Sequence, residues 1–139
     1  MVSNYLVAGA VAWVIAQFSK YIITSLKYRK AEDVSKLYLS GGMPSAHSAT
    51  SVAVLTVIGI VNGTDSGIFA LAALFTSIVL YDAMMVRRSS GEQGMALRSL
   101  MTEQKSKVRK PFVALGHSWQ EVCVGSALGF IVGVIVAAI

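Results

Sequence analysis

Residues 66–86 read SGIFALAALFTSIVLYDAMMV, a run in which Asp82 is the one charged side chain. Its length matches the ~20 residues a helix needs to cross a hydrocarbon core. A soluble domain would have to hide such runs, and this chain lacks the polar surface to do so. Of its 139 residues 55% are hydrophobic and 14% charged, against roughly 25% charged in an ordinary soluble domain. Working outward, three more segments carry the same signature. The last runs from Ser118 to Ile139. The second begins at Pro44-Ser45 and ends at Asn62-Gly63, a pair suited to stopping a helix with a residue of positive φ. The first spans Tyr5 to Leu26 and is apolar to Ala16, before Gln17, Ser19 and Lys20 interrupt it. The fold expected is an all-α, polytopic transmembrane bundle of about four spans plus short interfacial helices, forming a single domain over residues 1–139.

Charge gives the orientation. Lys20, Lys27, Arg29, Lys30 and Lys36 lie in or beside the first connection, and Arg87, Arg88, Arg98, Lys105, Lys107, Arg109 and Lys110 in the third, which accounts for all twelve basic residues. Lys and Arg are retained on the cytoplasmic side, so these two connections are expected inside and both termini outside, in the cytoplasmic (plasma) membrane. The pI of about 9.6 is thus a topology signal; no nucleic-acid motif accompanies it, and no nucleic-acid partner is expected. Met1 to Gly9 carries no basic residue, so the first segment reads as a retained helix and not a cleaved leader. Cys123 cannot form an internal disulfide and reads as a small packing residue.

The polar chemistry concentrates in the two basic connections. Gly41-Gly42-Met43-Pro44-Ser45-Ala46-His47-Ser48 joins a flexible Gly-Gly to a helix start. Free backbone N–H groups, the helix dipole and the Ser45 and Ser48 hydroxyls would make an anion cradle beside His47. An ordinary capped helix start, with Ser45 satisfying backbone donors, accounts for the same residues. At the beginning of the last span, His117 and Glu121 stand four apart, so a carboxylate could orient an imidazole. Ser118-x-x-Glu121 is equally a capping box, and the two uses are expected to compete for the carboxylate. Asp82, near the end of an apolar span, needs a cation such as Lys20 or Arg87. Between them, Ser90 with Gln93 offers another capping box, and apolar positions 95, 97, 100 and 101 suggest a short amphipathic helix, either a lid or a linker packed on the bundle.

Taken together and in order, GGMPSAHSA (41–49), YDAMMVRR (81–88) and LGHSWQEV (115–122) resemble the divergent branch of the type-2 phosphatidic acid phosphatase superfamily, which also includes vanadium-dependent haloperoxidases. The resemblance covers most of the chain. Pro44-Ser45-Ala46-His47 is similar to the Pro-Ser-Gly-His motif, and Gly116-His117-x-x-x-Glu121 to a Gly-x-His-x-x-x-Asp motif. It implies that His117 is the nucleophile, that Glu121 holds its other ring nitrogen, and that His47 is the general acid. Phosphoryl oxygens would be bound by Ser45, the backbone at Ala46, Lys20, Lys27, Arg87 and Arg88, with Gly42, Pro44 and Asp82 organising the site. The departures are Ala46 for glycine, Glu121 for aspartate, Lys27 for arginine, and Pro111 where an arginine is usual, with Arg109 a weaker stand-in. The implied activity is hydrolysis of a lipid or isoprenyl phosphate monoester or pyrophosphate at the cytoplasmic face, through a phosphohistidine and without cofactor or metal. A catalytically silent phosphate-lipid binder, carrier or structural membrane protein is the alternative. Gly125, Gly129 and Gly133 lie on one helix face, open to a neighbour in the chain or to a second copy in a homodimer.

Overall fold

The computed structural model describes residues 3–28 and 42–139, and the side chains of Lys27 and Tyr28 are outside that description. Among the described residues five α-helices follow one another: α1 (Asn4–Tyr28), α2 (Ala46–Asn62), α3 (Gly67–Tyr81), α4 (Arg87–Glu103) and α5 (Trp119–Ala137), with a π-helical turn at Asp82–Val86 between α3 and α4. Local chemistry sets the ends. Ser45, Ser66 and Ser118 cap α2, α3 and α5, each accepting from the N–H three residues on. Gly63 closes α2 at a φ of +84°, a conformation without cost for glycine alone.

The α3 region corrects the sequence reading. Its helix does not stop near Val86 but continues through the π turn into α4, so that Gly67–Glu103 is one 37-residue unit of about 55 Å. The amphipathic helix expected there is α4, which runs on from α3 without a break, and Ser90 does not cap it; Gln93 instead donates to the Ser89 hydroxyl, 3.2 Å away. The apolar part of this unit spans a core of ~30 Å, and the rest projects beyond it. Residues 104–118 then return along α4. Gly91 and Gly94 make room for that return, since a Cβ at either would meet Ala114 or Val113 at about van der Waals contact or closer.

The bundle centres on α2, which packs against α1, α3 and α5. Small residues make the contacts: Ala8, Ala12 and Ala16 of α1 meet Ala46, Ala49, Ala53 and Val57 of α2 in the buried cluster. On the other side Gly125, Gly129 and Gly133 lie against the backbone of Ser45 and Ala49 and against Ala53 and Thr56. In lipid no hydrophobic force draws helices together, so close backbone approach supplies the packing. That glycine face is therefore filled by α2 of the same chain, and it is not available to a second copy. Cys123, expected as a packing residue, is exposed on α5. Polar ties complete the frame: Tyr5 Oη donates to Asn62 Oδ1 (2.8 Å), Thr76 Oγ1 to the Ser51 carbonyl (3.3 Å), and the Ser45 N–H to the Glu121 carbonyl (3.0 Å).

Large apolar side chains such as Leu6, Phe18, Leu71, Phe75 and Phe130 point outward, the inverse of a soluble core and the mark of a protein solvated by lipid. Among the described residues three helical units are long and apolar enough to cross a membrane, and α2 is a shorter apolar helix beside them. The protein is an integral membrane helical bundle. The start of α1 lies beside the end of α2 through Tyr5 and Asn62. Tyr5 of α1 and Val136 and Ala137 of α5 pack against the same buried cluster. The opposite end gathers the end of α1, the starts of α2 and α5, and the π turn.

Candidate active site

His117 sits one residue before the cap of α5 and is 4% exposed. Its N–H donates to the Ala83 carbonyl of the π turn (2.9 Å), which fixes the backbone. Its Nδ1 lies 2.9 Å from Glu121 Oε2. The same oxygen accepts the Ser118 N–H at 3.2 Å, while Glu121 N–H donates to Ser118 Oγ at 3.3 Å. The expected competition does not arise, because one carboxylate oxygen carries two lone pairs and takes both donors. An ionised carboxylate only accepts, so Nδ1 carries the proton and Nε2 keeps its lone pair. Burial lowers the proton affinity of His117 below the ordinary imidazole value, opposed by the bond to Glu121 and assisted by the positive charges of Lys20 and Arg87. Neutral imidazole is the form that can attack an electrophile.

Gly116 is what lets this segment approach the π turn. A Cβ there would run into the backbone of Arg87 and Arg88. Gly125 does the same one layer deeper, where a Cβ would overlap the Ser45 carbonyl oxygen. The Gly125 contact and the Ser45–Glu121 backbone bond bring the starts of α2 and α5 together, and the Gly116 contact brings the π turn against the segment that leads into α5.

At the start of α2, Pro44, Ser45, Ala46 and Ser48 are buried and His47 is exposed. Ser45 differs from its expected role as an open phosphate ligand. Its fully buried hydroxyl accepts from the Ser48 N–H (3.4 Å) and the Ser48 hydroxyl (2.8 Å) as the cap of α2, while its backbone N–H pins α2 to α5. What the helix start leaves for an anion is its earliest N–H groups, which have no intrahelical acceptor. Lys20 is 8% exposed, and its methylenes lie under Gly42, whose φ of +84° calls for glycine. His47 is within electrostatic reach of His117, Lys20, Arg87 and Asp82, and Lys20 within reach of Glu121. Helix α1 runs through Lys27, whose side chain lies outside the described residues, as do Arg29 to Gly41.

The π turn positions the arginines. Its wider coil bonds the Arg87 N–H to the Asp82 carbonyl five residues back, and it lets their side chains meet as an ion pair through Arg87 Nε and Asp82 Oδ2. Arg88 pairs with Glu92 at 3.2 Å. Both line a cleft of about 270 Å³ with Met95, Leu115, Gly116, His117 and Ser118. Arg109 is exposed and Pro111 half-buried. Among the described residues no three His, Cys, Asp or Glu side chains gather to hold a metal ion. The Ala83 carbonyl escaped the sequence reading, since nothing in an apolar run marks a π turn.

A buried, carboxylate-bound imidazole whose Nε2 keeps its lone pair, within electrostatic reach of a second imidazole, a lysine and an arginine, has the chemistry to bind an oxyanion and attack it. Comparison with known proteins agrees with this arrangement in family. The chain is 32% identical to the uncharacterized membrane protein YuiD of Bacillus subtilis (strain 168), an alignment covering 99% of this chain and 96% of that one. No solved structure matches the chain significantly. Residues 1–132 match the family described as the divergent PAP2 family, and with the motif segments in place the chain belongs to it.

Proposed function

We propose that this protein is an integral membrane phosphatase that hydrolyses a lipid or isoprenyl phosphate monoester or pyrophosphate through a phosphohistidine. The observation that carries the reading is the bond from His117 Nδ1 to Glu121 Oε2, which leaves Nε2 as the unprotonated, nucleophilic ring nitrogen of an imidazole that feels the positive charges of Lys20 and Arg87. Nε2 attacks phosphorus, the P–O bond to the lipid breaks, and His47 gives its proton to the departing oxygen. Water then attacks the phosphohistidine, losing its proton to His47, and inorganic phosphate leaves. Lys20, Arg87 and the first N–H groups of α2 offset the charge on the phosphoryl oxygens, the main need of such a transfer. Arg88 lines the cleft beside His117 and is suited to guide phosphate in and out.

A site at the ends of membrane helices can process a head group whose tail stays in the bilayer. By the distribution of Lys and Arg, that end faces the cytoplasm. The test is phosphate release from a panel of lipid phosphates by purified wild type, His117→Ala and His47→Ala. His117→Ala is expected to release none. His47→Ala is expected to lose on the order of 10²- to 10⁴-fold on alkyl esters, and far less on an activated aryl ester whose leaving group needs no proton. Equal release from all three proteins refutes the assignment. Saturable binding without turnover by wild type would instead establish a phosphate-lipid carrier.

A further inference from the structure

His47 belongs to two surfaces at once. It is within electrostatic reach of Arg87, His117, Lys20 and Asp82, and it stands at the head of an open-sided groove of about 300 Å³ between α1, α2 and α3. The walls are almost wholly apolar: Trp13 from α1, Val54 and Leu55 from α2, and Ala72, Phe75 and Val79 from α3. From His47 to Leu55 the groove follows α2 for about 12 Å along the bundle axis. Phe75, 63% exposed, stands at its edge on the lipid-facing surface.

We propose that this groove holds a hydrocarbon chain of the same phosphate lipid whose head group reaches His117, so that substrate enters sideways from the bilayer. The proposal rests on the phosphatase reading for the identity of the head group. Three features favour a substrate tail over ordinary bilayer lipid. His47, at the head of the groove, is within electrostatic reach of Lys20, Arg87 and His117, so an anionic head group on the occupant can be anchored there. Thr50 lines the groove one turn beyond His47, which sets a hydroxyl-bearing residue at the depth where the polar link between phosphate and chain would fall. His117 lines a different cleft, on the side of Arg88 and Glu92, so the site has an apolar approach for the chain and a polar exit for phosphate.

The test uses a single-chain alkyl phosphonate, whose C–P bond resists cleavage, with a diazirine near the end of the tail. An alcohol of the same length carries the same diazirine. Each is photolysed with the wild-type protein in phosphatidylcholine nanodiscs, and the labelled residues are mapped by mass spectrometry. The phosphonate is expected to label Leu55, Phe75 and Val79 several-fold above the alcohol, and excess inorganic phosphate to reduce that labelling. Ala72→Phe, which fills the groove, is expected to abolish the difference while a short water-soluble phosphate monoester is still cleaved. Equal labelling by the two probes, or label spread evenly over the outer faces of α1 and α5, overturns the proposal. Selective labelling with no phosphate release from any substrate retains the groove and removes catalysis. Phosphate release with unselective labelling removes the groove alone.

Discussion

Glu121 determines what His117 can do. The four-residue spacing was legible in the sequence, but its outcome was not, because a capping box and a histidine–carboxylate pair read as rivals. They coexist since a single oxygen, Oε2, accepts from both His117 Nδ1 and the Ser118 N–H. Burial holds the His117 proton affinity below its ordinary value, while the Glu121 contact works against that shift. Two consequences follow in the pH profile of kcat/KM. In the wild type the acid limb, where His117 becomes protonated and inactive, lies below the ordinary imidazole value of about 6.5. In Glu121→Gln the contribution that favours protonation is weakened, so that limb moves to still lower pH. The rate also falls across the whole range, on the order of tenfold or more, because the tautomer is no longer fixed. A limb that moves upward, or an unchanged rate, would mean that Glu121 serves only the helix cap.

Four apolar elements could be read from hydrophobic runs and caps, since Ser45, Ser66, Ser118 and Gly63 announce their roles by type. The π turn could not, because Asp82 and Arg87 are five apart and a 3.6-residue period sets them on different faces. The extra backbone width joins them and turns the Ala83 carbonyl to His117. Continuity of α3 with α4 was hidden for a related reason: an apolar-to-polar change marks where a helix leaves the membrane, and it resembles a helix end. The glycine face of α5 was visible, but whether it met a neighbour or a copy depended on the tertiary arrangement. Gly129 now carries a definite prediction. A side chain there meets the Ala49 carbonyl oxygen, so Gly129→Leu must push α5 from α2. The better helix propensity of leucine returns under ~1 kcal/mol, against overpacking costs of about 1–3 kcal/mol. Thermal unfolding in detergent is expected at a lower temperature than for wild type; an equal or higher midpoint would show that α2 and α5 are not in close contact.

For the molecule as a whole, sequence charge and structure point to the same end of the bundle. The basic residues flank the ends that carry Lys20, His47, Arg87 and His117, and both described termini lie at the other. With Lys and Arg retained inside, a cytoplasm-only reporter fused after Ile139 is expected to be inactive, and a reporter active only outside to be active; the reverse pattern would place the site on the outer face. The convergence of two imidazoles, seventy positions apart in the chain, on one phosphate is the claim on which the function depends. Rapid quenching of the protein during turnover of a lipid substrate carrying ³²P in its phosphate tests it most directly. The expected result is an acid-labile, alkali-stable label on the peptide containing His117, absent from His117→Ala. Turnover that proceeds with no label on His117, or with label on another residue, would contradict the account.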